Sequence, residues 1–267
     1  MKIGIIGCGN MGRALLRGLL SKGYVDRRDI FISDKDRRKI DFARLRFKVN
    51  VSSSNSKLVR KCNVIILAVK PQDLDAVARE LPVPLKGKLL ISICAGISTK
   101  KLEDCFGDVP VIRVMPNMPA LICQGISAIS LGRYAALKDR RVARSIFSCI
   151  GEVVLIKEKL MDAVTAISGS GPAYYFYLTQ KLLETAKEFG IPEQIAWRLV
   201  VQTASGSAAL LKQSEQSPQV LRKRVSSKGG TTEAAFKVFQ KKGLPKILTS
   251  AFKAAARRAK ELEKFSG

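Results

Sequence analysis

The sequence predicts an α/β fold, a doubly wound parallel sheet followed by an all-helical domain. Three observations carry the prediction. Short apolar runs alternate with amphipathic segments through the first half of the chain. A glycine-rich loop directly follows the first of those runs. Beyond about residue 160 the strand-like runs stop and long stretches of helical spacing take over.

The elements follow in order. Ile3 to Ile6 is a strand-length apolar run, after which Met11, Ala14, Leu15, Gly18 and Leu19 recur at three- and four-residue spacing. That helix closes at Lys22-Gly23, a cation in the last turn and a glycine where the chain must turn. Asp29 to Ser33 reads as the second strand. Asn63 to Val69 and Leu89 to Ile93 have the near-continuous apolar character of strands covered on both faces. Val111 to Met115 and Gly125 to Ser130 follow, then a basic helix near Leu137 to Cys149 and a strand at Val153 to Ile156. Further on, Tyr175, Leu178, Leu182, Ala186 and Phe189 share one helical face, and Gly190 and Pro192 end that helix and start another. Ile195, Leu199, Thr203 and Leu210 continue the pattern, as do Leu248, Phe252, Ala255, Ala259 and Leu262 in the tail. The expected division is therefore 1–159, a dinucleotide-binding domain, and 160–267, a helical domain for substrate binding and dimerisation.

Composition narrows the chemistry. The chain has 267 residues and no histidine, and its six cysteines form no Cys-x-x-Cys pair. Without these groups neither a zinc site nor a histidine acid–base pair can be assembled, so no metal is expected. Scattered thiols fit a reducing cytoplasm. No apolar run is long enough to span a bilayer. The net charge of +25 is large, but aromatics are only 6 % of the chain and do not interleave with the basic residues. That argues against a nucleic-acid partner and for a solvated surface that attracts anionic ligands.

Gly7-Cys8-Gly9-Asn10-Met11-Gly12 is a G-x-G-x-x-G loop between the first strand and the first helix. The first glycine permits a tight turn, the second lets backbone approach a pyrophosphate, and the third lets helix and strand pack. The helix N-terminus then offers free N–H groups and a positive dipole end. In this strand–helix context the loop predicts a Rossmann-type site for NADPH or NADH. Asp34 lies 22 residues beyond Gly12, where a carboxylate would bond a ribose 2′-hydroxyl and favour NADH. Lys35, Arg37 and Arg38 follow it and could receive a 2′-phosphate, and Asp34 could equally serve as a helix N-cap. The cofactor choice stays open at this point.

Five further stretches carry a family resemblance: Ala68-Val69-Lys70-Pro71, Ser92 to Gly96, Arg113 to Asn117, Asp162 to Tyr174 with its Ser-Gly-Ser-Gly-Pro-Ala-Tyr core, and Val225-Ser226-Ser227-Lys228-Gly229-Gly230-Thr231-Thr232. In order and spacing they resemble the pyrroline-5-carboxylate reductases over essentially the whole chain. The resemblance implies reduction of 1-pyrroline-5-carboxylate to L-proline, the last step of proline biosynthesis, by a cytoplasmic homodimer or an assembly of such dimers with intertwined helices. It implies that the glycine loop, Asn55, Ala68, Val69, Lys70, Pro71, Cys94 and Ala95 line the cofactor. Ser227, Gly229, Gly230 and Thr231 would hold the substrate carboxylate, Thr232 would hydrogen-bond the ring nitrogen as the catalytic residue, and Glu158 would match an acidic substrate-site residue. Lys228 stands where the family usually has proline, and Met118 where threonine is more common.

The residues themselves suit that chemistry. A protonated C=N bond is already electrophilic, so the protein's task is binding and orientation, and histidine is not needed. A Gly-Gly turn opening a helix through Thr231 and Thr232 gathers N–H groups suited to a carboxylate. The related 3-hydroxyacid dehydrogenases place a catalytic lysine soon after a comparable glycine stretch; here the first lysine after Gly171 is Lys181, deep in the helix. A second class, a regulatory or nucleic-acid-binding protein that keeps the fold, would draw on the basic excess but leaves the intact glycine loop and Thr232 without a purpose.

Overall fold

The computed structural model describes residues 1–81 and 85–264. The chain divides into two units, Met1–Gly171 together with the chain from Ala254 onward, and Pro172–Lys253.

The first unit is built on strands β1 (Ile3–Ile6), β2 (Ile30–Ser33), β3 (Asn50–Val51), β4 (Val64–Leu67), β5 (Leu89–Ser92), β6 (Val111–Met115), β7 (Gly125–Leu131) and β8 (Gly151–Leu155). They form one sheet in the order β3-β2-β1-β4-β5-β6-β7-β8. β1, β2, β4 and β5 are buried at every residue, which is why their sequences show no alternation of polar and apolar positions. Neighbouring side chains still point to opposite faces. Val64 and Ile66 join one core with Ile3, Ile5, Leu15 and Phe147, while Ile65 and Leu67 join the other with Leu58, Leu74 and Phe106.

One step departs from an all-parallel sheet: β7 runs antiparallel to β6. Residues 116–124 connect them, too few for a crossover, which takes about a dozen residues or more. β8 then returns to parallel pairing with β7, because helix α6 intervenes.

The helices of this unit are α1 (Asn10–Ser21), α2 (Arg37–Phe47), α3 (Asn55–Lys61), α4 (Leu74–Glu80), α5 (Thr99–Phe106), α6 (Leu137–Ser148) and the short α7 (Met161–Val164). Their starts are written in the sequence. Asp36, Ser54 and Ser98 cap α2, α3 and α5 by accepting from Arg38, Lys57 and Lys101 N–H groups. Residues 165–169 continue α7 as a π-helical turn. There the Thr165 and Ser168 hydroxyls donate back to the Met161 and Val164 carbonyls at 2.9 and 3.1 Å, a side-chain competition that disturbs regular helix.

The remaining helices are α8 (Gly171–Glu188), α9 (Glu193–Gln213), α10 (Pro218–Arg224), α11 (Thr231–Lys241) and α12 (Leu244–Lys264). Gly190, at φ +76°, makes the turn after α8, and Pro192 is the N-cap of α9. Within 172–253 only Ala186 and Ala196 are buried. Tyr175, Tyr177, Phe189 and Trp197 are 73, 63, 77 and 59 % exposed. Two alanines do not make a hydrophobic core, so these helices require another surface to cover them.

Candidate active site

The order of the sheet reverses between β1 and β4: from β1 the chain adds β2 and β3 on one side, then returns to add β4 and its successors on the other. Ligands of open parallel sheets bind outside the carboxyl ends of the strands at such a point. Gly7 to Gly12 leaves the end of β1 there, and Ala68 to Pro71 leaves the end of β4.

A cleft of about 350 Å³ opens at this place and is lined by Gly7, Gly9, Asp34, Lys35, Asn55, Ala68, Val69 and Lys70, with Gln72, Asp73 and Glu80 among its other walls. The structure thus gathers eight of the sequence-predicted cofactor residues. Gly7 adopts φ +102°, and a side chain there would strike the Ala68 carbonyl. Gly12 has no room either, because a Cβ would meet the carbonyl oxygen of Gly7. Gly9 is the opposite case: among the described residues, no atom beyond its immediate chain neighbours lies within 4 Å of where its Cβ would be. It is the N-cap of α1 and carries no side-chain cap. Open space directly before a helix N-terminus fits a pyrophosphate, which receives the orphan N–H groups and the dipole.

Asp34 is not the cap of α2, since Asp36 takes that place. Its carboxylate accepts from the Cys8 N–H at 2.6 Å and from the Asp36 N–H at 2.8 Å, and its side chain is 7 % exposed. Of the cations after it, Lys35 pairs with Asp73 at 2.7 Å and Arg38 with Asp36 at 3.5 Å. Asn55 is held on both sides, its Oδ1 accepting from the Ser33 hydroxyl at 2.6 Å and its Nδ2 donating to Glu80 at 2.6 Å. Cys8, Asn10, Met11, Gly12, Pro71, Cys94 and Ala95 do not line this cleft. Cys94 instead braces it: its thiol donates to the Val69 carbonyl at 3.4 Å. Burial pushes the Cys8 thiol up to about 11, and burial also raises that of Cys94. Neither is a nucleophile at neutral pH.

The predicted substrate loop lies in the second unit. Gly229 takes φ +72°, the Gly230 N–H donates to the Ser227 carbonyl at 3.0 Å, and Gly230 is the N-cap of α11. Thr231 and Thr232 are the first two residues of that helix, so their N–H groups have no intrahelical acceptor. Thr232 is half-buried. Glu233, which sequence reasoning missed, reaches back and accepts from the Gly229 N–H at 2.5 Å. That bond and the neighbouring Lys237 hold its carboxyl below the usual carboxylate range. The signal was present, an acid shortly after a capping turn. This bond ties the residue after Lys228 to the first turn of α11.

Glu158 is committed within the first unit. Its carboxylate accepts from the Thr99 N–H at 2.7 Å, from the Thr99 hydroxyl at 2.5 Å and from the Arg113 guanidinium at 3.3 Å. Arg113, 5 % exposed, also lies 3.7 Å from Asp162. A charge inside the apolar run Val111 to Met115 was the sequence signal for this strut. It fixes the start of α5, directly after the Cys94–Ala95 segment. Glu158→Ala is expected to lower the stability of the free protein by about 2 kcal/mol, because it leaves a buried cation half paired. Glu158→Gln, which keeps an acceptor for Thr99, should recover part of the loss, and thermal midpoints of the three proteins check this.

The sheet, the glycine cleft at its switch point and the second helical unit define a nicotinamide-dependent oxidoreductase of the Rossmann type. Residues 158–262 match the family model described as pyrroline-5-carboxylate reductase dimerisation, and residues 2–96 match one described as NADP oxidoreductase, coenzyme F420-dependent. A pyrroline-5-carboxylate reductase of Synechocystis is 37 % identical over 99 % of both chains. That of Pseudomonas aeruginosa is 39 % identical over 98 % of this chain and 96 % of its own. The crystal structure of the Plasmodium falciparum pyrroline carboxylate reductase with NADP bound superposes with a TM-score of 0.89 at 31 % identity, covering 98 % of each chain. The chain belongs to the pyrroline-5-carboxylate reductase family.

Proposed function

We propose that the protein reduces 1-pyrroline-5-carboxylate to L-proline with a nicotinamide cofactor. The observation that carries this reading is the turn into α11, where a glycine at φ +72° and the uncapped N–H groups of Thr231 and Thr232 form a carboxylate receptor beside a threonine hydroxyl. NADH or NADPH supplies the hydride when bound. The chain's own groups do the rest. The α11 N-terminus holds the substrate carboxylate through Gly230, Thr231 and Thr232, with Ser227 and Gly229 shaping the turn. The Thr232 hydroxyl accepts from the protonated ring nitrogen and fixes which face of the ring is presented. Orientation of this kind accounts for much of the rate when the electrophile is already activated.

The geometry at Asp34 favours NADH. Its nearly buried carboxylate could accept from a ribose 2′-hydroxyl, whereas a 2′-phosphate beside it would set two anions together, with Lys39, 3.9 Å from Asp34, as a partial offset. The test is imine reduction measured with each cofactor: kcat/KM should be higher with NADH, and Asp34→Ser should shift the ratio toward NADPH by at least about tenfold, equivalent to about 1.4 kcal/mol. An unchanged ratio in the variant would remove Asp34 from cofactor choice.

The assembly is a homodimer, in which a second copy covers the apolar faces of α8 and α9. Among the described residues no helix is long and apolar enough to cross a membrane. Residence in the cytoplasm, and a functional division of the chain at 159/160, belong to the same proposal; six unpaired cysteines support the first.

A further inference from the structure

A second cavity, of about 470 Å³, lies between α1 and α2 and shares no lining residue with the dinucleotide cleft. Four arginines line it: Arg13 and Arg17 of α1, Arg27 of the turn before β2, and Arg46 of α2. No carboxylate lines it. Among the described residues none of the four is ion-paired, whereas the neighbouring acids Asp36 and Asp41 are already paired with Arg38 and Arg44, outside the cavity. Like charges gathered around a hollow repel one another, and an anionic occupant relieves that repulsion.

Two further observations point to a ligand. The Nε of Arg13 is buried and has no hydrogen-bond partner, a donor shielded from water with nothing in the chain to accept from it. Its guanidinium lies 5.1 Å from the centroid of the Phe42 ring, and that ring remains 44 % exposed, leaving an aromatic surface beside the charge. Phe47 meets Phe42 edge-on at 6.2 Å and holds it in place. Arg17 is likewise held, donating to the Leu121 carbonyl at 3.2 Å.

We propose that this cavity is a second ligand site, selective for a nucleotide, with arginine forks on the phosphates and the base stacked on Phe42. Arginine is suited to both contacts, since its planar fork matches phosphate oxygens and stacks on rings. The volume is that of a small-molecule site. Nucleic-acid strands call for a series of stacking platforms along a groove, and this cavity has a single one.

The test is calorimetric titration of ATP into the full-length protein holding one equivalent of NADH, with inorganic triphosphate and adenosine titrated in parallel. ATP should bind at one additional site per chain and more tightly than either fragment. Arg17→Glu/Arg46→Glu, which reverses two exposed charges, should weaken ATP at least about tenfold and leave imine turnover without ATP unchanged. Phe42→Ala should abolish the preference for ATP over triphosphate, and it decides the matter if the double variant does not fold. Absence of ATP binding, equal binding by the charge-reversed protein, or triphosphate binding as tightly as ATP in the unaltered protein would each overturn the proposal.

Discussion

Thr232→Ala is expected to lower kcat/KM for the imine about a hundredfold while leaving dinucleotide affinity unchanged. The size follows from the loss of one positioned hydrogen-bonding group at a centre whose charge changes during reaction, which costs about 10²–10³ in comparable sites. The selectivity follows from place: Thr232 stands in the first turn of α11, in a unit separate from the glycine cleft. Its N–H survives the substitution, so the carboxylate receptor remains and KM should change less than kcat. Thr232→Ser restores the hydroxyl and should return most of the rate. Steady-state kinetics, with fluorescence titration of NADH, separate these effects. Equal activity of the alanine and threonine proteins would exclude the hydroxyl from the chemistry.

The second large effect distinguishes two glycines of one motif. Gly9→Ala is expected to fold normally and yet bind dinucleotide at least about tenfold more weakly, because the space around its Cβ position is empty of protein and belongs to the ligand. Gly12→Ala is expected to fail in both respects. Its Cβ would strike the Gly7 carbonyl, so α1 would have to leave β1, carrying with it Leu15, Leu16 and Leu19, all fully buried. Such overpacking costs about 1–3 kcal/mol, and the displaced helix terminus no longer meets the pyrophosphate. Thermal midpoints and NADH titrations of both variants check the contrast. A destabilised Gly9→Ala with normal affinity would reverse the roles assigned to the two positions.

Much of this architecture was legible because strand burial and loop chemistry are local. Ile3 to Ile6 and the Gly7 to Gly12 loop declare a strand, a turn and a helix start within a dozen residues, and each behaves as its composition demands. The change of texture near residue 160 likewise marks where strands end. What stayed hidden depends on partners distant in sequence. Nothing near Glu158 names Thr99 or Arg113, 59 and 45 residues away, so its carboxylate could be read only by resemblance. The antiparallel β7 was missed because apolar runs carry no direction; only the short 116–124 connector hints at it. Asp34 showed two readings, cap or ribose ligand, until the position of Asp36 at the start of α2 released it. The arginines of the second cavity come from three separate stretches, and their common charge was visible in the sequence only as a basic excess.

We propose that this chain moves hydride onto a cyclic imine bound at the α11 turn. The most direct measurement follows NADH and NADPH absorbance after addition of 1-pyrroline-5-carboxylate, with the amino-acid product identified. Cofactor oxidation matched one to one by proline formation is the expected result. A folded protein that binds the dinucleotide but oxidises neither cofactor in the presence of the imine would contradict it.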